Sequence, residues 1–120
     1  MARIFALAAL AAAVVLAPAA PHAPAAPTAP AASGGKLGGT VGPGFTITMS
    51  AKSVKAGAYA ITVHDRGAIH NFHLVGPGVN QKTGVGAVKT YSWRVTLKRG
   101  TYKFSCDVHT SVMHGVLRVT

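Results

Sequence analysis

Acid is nearly absent from this chain: its 120 residues hold 12 Lys and Arg but only two carboxylates, Asp65 and Asp107. A catalytic His needs an orienting partner and a catalytic thiol needs a paired base, so with so few carboxylates no enzyme activity is expected. Cysteine is scarcer still. Cys106 stands alone and cannot form an internal disulfide, so in an oxidising compartment something else must protect its thiol. The longest apolar run, Ile4 to Leu16, falls short of the roughly 20 residues a membrane-spanning helix needs, and no stop-transfer pattern follows. There is no internal repeat, no convincing amphipathic helix and no nucleic-acid-binding motif. Basic residues such as Lys52, Lys82, Arg94 and Arg118 are scattered through the chain, and nucleic acid is not an expected partner.

What is present falls into three parts. Residues 1–19 carry Arg3, then the apolar run, then Ala17-Pro18-Ala19, the small-x-small pattern of a secretory cleavage site. No Cys near that site could take a lipid anchor. Export to a periplasm or the cell exterior is therefore expected. Residues 20–39 form a linker rich in Ala, Pro and Gly, a composition that buries no core and extends as a semi-rigid tether; His22 within it reads as a solvated bystander. Residues 40–120 are left as one small domain, a size at which a bound metal can add stability.

That domain reads as all-β. Phe45, Ile47 and Met49 alternate with Thr46, Thr48 and Ser50, and Tyr59, Ile61 and Val63 alternate with polar or small neighbours. Further strands are expected over His70 to Leu74, Tyr91 to Leu97, Tyr102 to Cys106 and Val116 to Thr120. Turn signals such as Asp65-Arg66-Gly67 and Gly76-Pro77-Gly78 separate them. Short strands at this spacing predict a sandwich or barrel.

The chemistry is concentrated near the end of the chain. Cys106-Asp107-Val108-His109 followed by Met113 places a thiolate, an imidazole and a thioether within eight residues. Those are soft donors, and a thiolate with two imidazoles and a weak axial Met is the set that stabilises copper in both of its oxidation states. A second imidazole is required. His70-Asn71-Phe72-His73 upstream offers His70 and His73.

The two-part pattern, His-Asn-Phe and then Cys-x2-His-x3-Met, resembles the blue (type 1) copper proteins of the cupredoxin family, in particular the plastocyanin and amicyanin branch. The resemblance spans residues 40–120 and implies a Greek-key β-sandwich that carries one electron at a time on a single copper ion. It places the metal ligands at His70, Cys106, His109 and Met113. The gap from His109 to Met113 is one residue shorter than in plastocyanins and one longer than in amicyanins. The resemblance also gives Asn71 the task of tying the His70 strand to the Cys106 loop, and makes His109 the ligand nearest solvent.

Strand parity bears on the same choice. His70 falls in phase with Phe72 and Leu74, whereas Asn71 and His73 fall out of phase, which favours His70 as the inward imidazole. Tyr102, Phe104 and Cys106 likewise share one face. His64, His73 and His114 are read as exposed, and Trp93 and Met49 as core. Without Arg3 the chain holds one cation fewer than the 12 of the whole, and its formal charge falls from +10 to +9. Such a surface draws acidic partners, so an acidic redox protein meeting a monomer is the expected encounter. Two other functions fit the same residues: a copper carrier or buffer, and a metal-free module binding the cell envelope through its basic surface.

Overall fold

The computed structural model describes residues 35–120. The leader expected over residues 1–19, and the linker from residue 20 to 34, lie outside the described residues. Nine strands follow: β1 (Gly35–Val41), β2 (Ile47–Met49), β3 (Ser53–Val54), β4 (Gly57–Asp65), β5 (His73–Gly76), β6 (Val79–Lys82), β7 (Lys89–Leu97), β8 (Gly100–Ser105) and β9 (His114–Val119). They make two sheets, of order β2-β1-β4-β7 and β3-β9-β8-β5-β6. Among the described residues there is no helix, and the expected all-β sandwich is the architecture found.

The inner faces follow the side-chain period of a strand. Ile61, Val63 and Asp65 of β4 are buried, as are Val95 and Leu97 of β7, Tyr102 and Phe104 of β8, and Leu117 and Val119 of β9. Three aromatic rings link the sheets. Phe72 stacks on Phe104 with ring centroids 5.7 Å apart and planes 3° from parallel, and it meets the tilted Trp93 ring at 6.2 Å. Phe72 is fully buried, and truncating such a ring typically costs about 3–5 kcal/mol. Phe104 can lie flat across its neighbour because it pairs with Gly115 on β9, where a Cβ would collide with the ring.

Three expectations change. β1 begins at Gly35, inside the stretch assigned to the linker, and runs parallel to β4 from Gly35↔Tyr59 to Val41↔Asp65. Its glycines hide a strand pattern whose only large inward side chains are Leu37 and Val41; at Gly39 a Cβ would press on the Phe72 ring. Phe45 is not in phase with Ile47 and Met49, because β2 starts only at Ile47 after the Gly42-Pro43-Gly44 turn, and Phe45 is exposed. The strand expected from His70 begins at His73 instead. Residues 70–72 form an irregular segment in which His70, Asn71 and Phe72 are all buried. Inward His70 is therefore found, but without the alternation that suggested it.

At the far end from the loops that carry the ligating side chains, Tyr102 forms a corner of the kind known in other sandwiches. Its hydroxyl accepts from the Lys98 N–H at 2.9 Å and donates to the Pro77 carbonyl at 2.7 Å. Tyr102→Phe leaves both backbone groups without that partner and should lower stability by about 1–3 kcal/mol. Urea unfolding should show a lower midpoint at unchanged slope; an unmoved midpoint would show that the corner contributes nothing.

Candidate metal centre

β1, β4 and β8 all end, and β5 and β9 begin, at one end of the sandwich, and the loops between them carry the side chains of interest. Cys106 follows β8 directly and keeps the inward phase of Tyr102 and Phe104; it is fully buried. Its N–H donates to the Met113 carbonyl at 3.0 Å, and Met113 N–H donates to the His109 carbonyl at 2.9 Å. The His109 N–H donates to the Cys106 carbonyl at 3.2 Å. These bonds wind residues 106–113 into a closed loop that returns the chain into β9, with Met113 fully buried.

The His70 segment is fixed by a buried polar hub that the sequence reading missed. Thr83 accepts the Phe72 N–H at 2.8 Å on its hydroxyl and donates that hydroxyl to Asp65 at 2.7 Å. Its backbone N–H donates to the Phe72 carbonyl at 2.9 Å. The second Asp65 oxygen accepts the Gly67 N–H at 3.2 Å, and the His70 N–H donates to the Gly67 carbonyl at 3.0 Å. A Cβ at Gly67 would overlap the His70 ring, so this loop needs glycine there. The signal for Asp65 was available: it continues the inward phase of Ile61 and Val63, although its neighbours Arg66 and Gly67 suggest a turn.

These two supports bring three donors together. His70 Nδ1 and His109 Nδ1 are 3.0 Å apart, and Cys106 Sγ lies 3.8 Å from the first and 3.7 Å from the second. The centre of that triangle is about 2.0 Å from all three atoms, the length of a metal–nitrogen bond and slightly under a metal–sulfur bond. His70, Cys106 and His109 thus form a candidate site for one metal ion, with two members buried and His109 partly exposed. The Phe45 ring stands edge-on to both imidazoles, with centroids 5.3 Å from His70 and 4.9 Å from His109. Sequence reasoning placed Phe45 in a strand and missed this; the Gly-Pro-Gly turn before it was the one available warning.

Asn71 joins the two supporting loops. Its side-chain oxygen accepts the Asp107 N–H at 2.8 Å, and its amide donates to Asp107 Oδ2 at 2.9 Å and to the Thr83 carbonyl at 3.4 Å. The tie expected of Asn71 is therefore made, to the residue after Cys106. Burial opposes ionisation of Asp107, but hydrogen bonds from His73 and Asn71 and the charges of His73 and Lys82 outweigh it, so the carboxyl is held below its usual range. His73 does not join the donor triangle. His64 pairs with Thr90 at 3.2 Å and His114 with the Thr110 carbonyl at 2.8 Å, both on the exposed side.

Comparison with solved structures places this architecture. Reduced rusticyanin superimposes at TM-score 0.55 with 20% identity, over 71% of this chain and 78% of that one. Auracyanin A, described as a "blue" copper protein from Chloroflexus aurantiacus, gives 0.50 with 18% identity, over 71% of this chain and 98% of its own. An amicyanin variant gives 0.49 with 22% identity, over 72% and 83%. No protein-family model matches the sequence, and no relative is found among curated proteins. The fold is that of the cupredoxins.

Thr83→Val keeps the shape of the hub but removes the donor to Asp65 and the acceptor for Phe72. Leaving a buried carboxylate and a buried N–H short of partners should cost about 2–3 kcal/mol in urea or thermal unfolding. Thr90→Val, at an exposed strand position, should cost under about 0.5 kcal/mol. Equal effects of the two would remove Thr83 from its place as the support of the His70 segment.

Proposed function

We propose that this chain is an exported electron carrier holding one copper ion, with His70, Cys106 and His109 as the strong ligands and Met113 as the weak axial donor. The observation that carries the reading is the triangle of two imidazole nitrogens and one thiol sulfur, with sides of 3.0, 3.7 and 3.8 Å. Bound copper would supply a one-electron couple between Cu(I) and Cu(II). The chain's own part is to keep the donors from moving. Cys106 is held by strand β8 on one side and by its own bond to Met113 and the bond of the next residue, Asp107, to Asn71 on the other, and His70 by the Gly67 loop. A donor set that barely rearranges suits electron exchange in both directions.

His109 is the natural exit for the electron because it is the one partly exposed member of the triangle. Exposed apolar side chains stand on the same loops: Phe45, Ile69 beside His70, and Val108 and Val112 around His109. Such a rim allows a partner to approach closely without stripping water from charges, while the basic remainder of the surface attracts an acidic redox protein from a distance. Auracyanin A, whose fold this chain shares, is a "blue" copper protein, which supports this reading. Complete burial of Cys106 and Met113 favours retention of metal, and so favours an electron carrier over a copper carrier; no catalytic role is assigned. The export part rests on the leader pattern of residues 1–19.

One equivalent of Cu(II) added to the purified domain should give an intense visible thiolate-to-copper band. Cys106→Ser and His70→Ala should each abolish it. A colourless one-to-one complex, or a marked preference for zinc, would overturn the assignment.

Met113→Leu removes only the weak donor, so the coloured site should survive with a raised reduction potential. Voltammetry on the variant checks this; an unchanged potential would show that Met113 is not axial. Repeated cycling without copper loss to a moderate chelator separates the electron carrier from the copper carrier.

A further inference from the structure

Behind the Asn71 tie lies a second connection, and it involves a histidine outside the donor triangle. With Asp107 Oδ2 engaged by Asn71, the other oxygen, Oδ1, lies 2.7 Å from His73 Nδ1. His73 Nε2 in turn lies 2.6 Å from the side-chain oxygen of Asn80. A carboxylate can only accept, so Nδ1 carries the proton shared with Asp107. Nε2 is then an acceptor, and it is satisfied by the NH2 of the Asn80 carboxamide with that amide turned end for end, so the imidazole is held at both nitrogens, between the loop that follows Cys106 and strand β6. His73 itself opens β5, paired with Ser105 on one side and Lys82 on the other, so the ring stands on regular sheet.

The loop needs such an anchor. Asp107 has a side chain 40% exposed, and a carboxylate with one oxygen left to water could swing away from Asn71. That motion would release the Asn71 amide and loosen the peptide N–H that fixes the residue after the thiol. His73, 21% exposed, blocks it from the other side.

We propose that His73 is a positioning residue for the thiol: with Asn80 it clamps the Asp107 carboxylate, so that Asp107 and Asn71 hold the Cys106 side chain in one orientation. The chain Asn80, His73, Asp107, Asn71 runs from the edge strand β6 through the ligand loop to the His70 segment. It couples the placement of Cys106 to the placement of His70 through side chains that never touch the metal position. This builds on the copper reading for its spectroscopic consequence, but the clamp is a property of the metal-free protein and is testable there.

The test compares wild type, His73→Leu and His73→Gln, all in the full chain. In the metal-free proteins, alkylation of Cys106 by iodoacetamide reports opening of the loop around a fully buried thiol. His73→Leu, which fills the space without hydrogen bonds, should react about tenfold faster than wild type, because local opening becomes easier. His73→Gln can still donate to Asp107 and should fall within about twofold of wild type. With copper added, His73→Leu should still bind one ion, with a visible band changed in energy and intensity and an altered paramagnetic resonance spectrum; His73→Gln should resemble wild type.

A folded His73→Leu variant with wild-type alkylation and a wild-type band would overturn the proposal. Should His73→Leu not fold, Asn80→Ala decides the matter: it leaves the His73–Asp107 contact and frees only the far side of the ring, so an intermediate alkylation rate supports the clamp and a wild-type rate overturns it. The two readings fail separately. A wild-type protein that takes up no coloured copper overturns the function proposed above, while the alkylation rates still decide the clamp.

Discussion

The reciprocal hydrogen bonds between Asn71 and Asp107 are the interaction on which the rest of the site depends. His70 sits on an irregular segment before β5, and Cys106 and His109 sit on a loop after β8; nothing in the ladder between those strands sets the distance from imidazole to thiol. β5 and β8 pair only through His73↔Ser105, Leu74↔Phe104 and Val75↔Lys103, and that ladder stops just short of the ligand residues. Asn71, one residue from His70, and Asp107, one residue from Cys106, extend the connection beyond the last ladder bond. An amide suits this position because it accepts from a backbone N–H and donates to a carboxylate at the same time.

Behind that pair the molecule is organised to hold polar groups where water is excluded. Asp65 and Thr83 are both buried, and every buried side-chain nitrogen and oxygen among the described residues has a partner. A buried carboxylate is tolerable only when its oxygens are engaged, and here one takes a hydroxyl and the other a backbone N–H. The aromatic cluster of Phe104, Phe72 and Trp93 continues from the His70 segment into both sheets and joins them. The polar hub holds the backbone of Phe72 while the aromatic cluster holds its ring. A segment with no regular secondary structure is thereby kept in one conformation.

Much of this was legible in the residues. The three donors that the fold brings together, His70, Cys106 and His109, are visible as a pattern because few residue types carry such atoms. Alternation exposed β4, β7 and β8 because each has one face on the core. β1, β3 and β6 were not legible: β1 has glycine at three of its seven positions, β3 has two residues, and β6 at the sheet edge has the polar sequence Val79-Asn80-Gln81-Lys82. Such strands owe their existence to the neighbours they pair with and not to a pattern of their own. Phe45 was misplaced for a related reason, since a run of alternating residues does not reveal where a Gly-Pro-Gly turn ends.

The sequence by itself determined which soft donor atoms this protein carries, that its charge is basic, and that its fold is a sandwich of short strands. Each of these is a property of residue types and their local period, which the linear order preserves. Tertiary structure alone decided that His73 meets Asp107, that Asp65 and Thr83 support the His70 segment, and that the Phe45 ring meets both imidazoles. Those contacts join residues 11 to 64 positions apart, through loops whose course is set by packing and hydrogen bonding across the fold, and no local pattern encodes a distance of that kind.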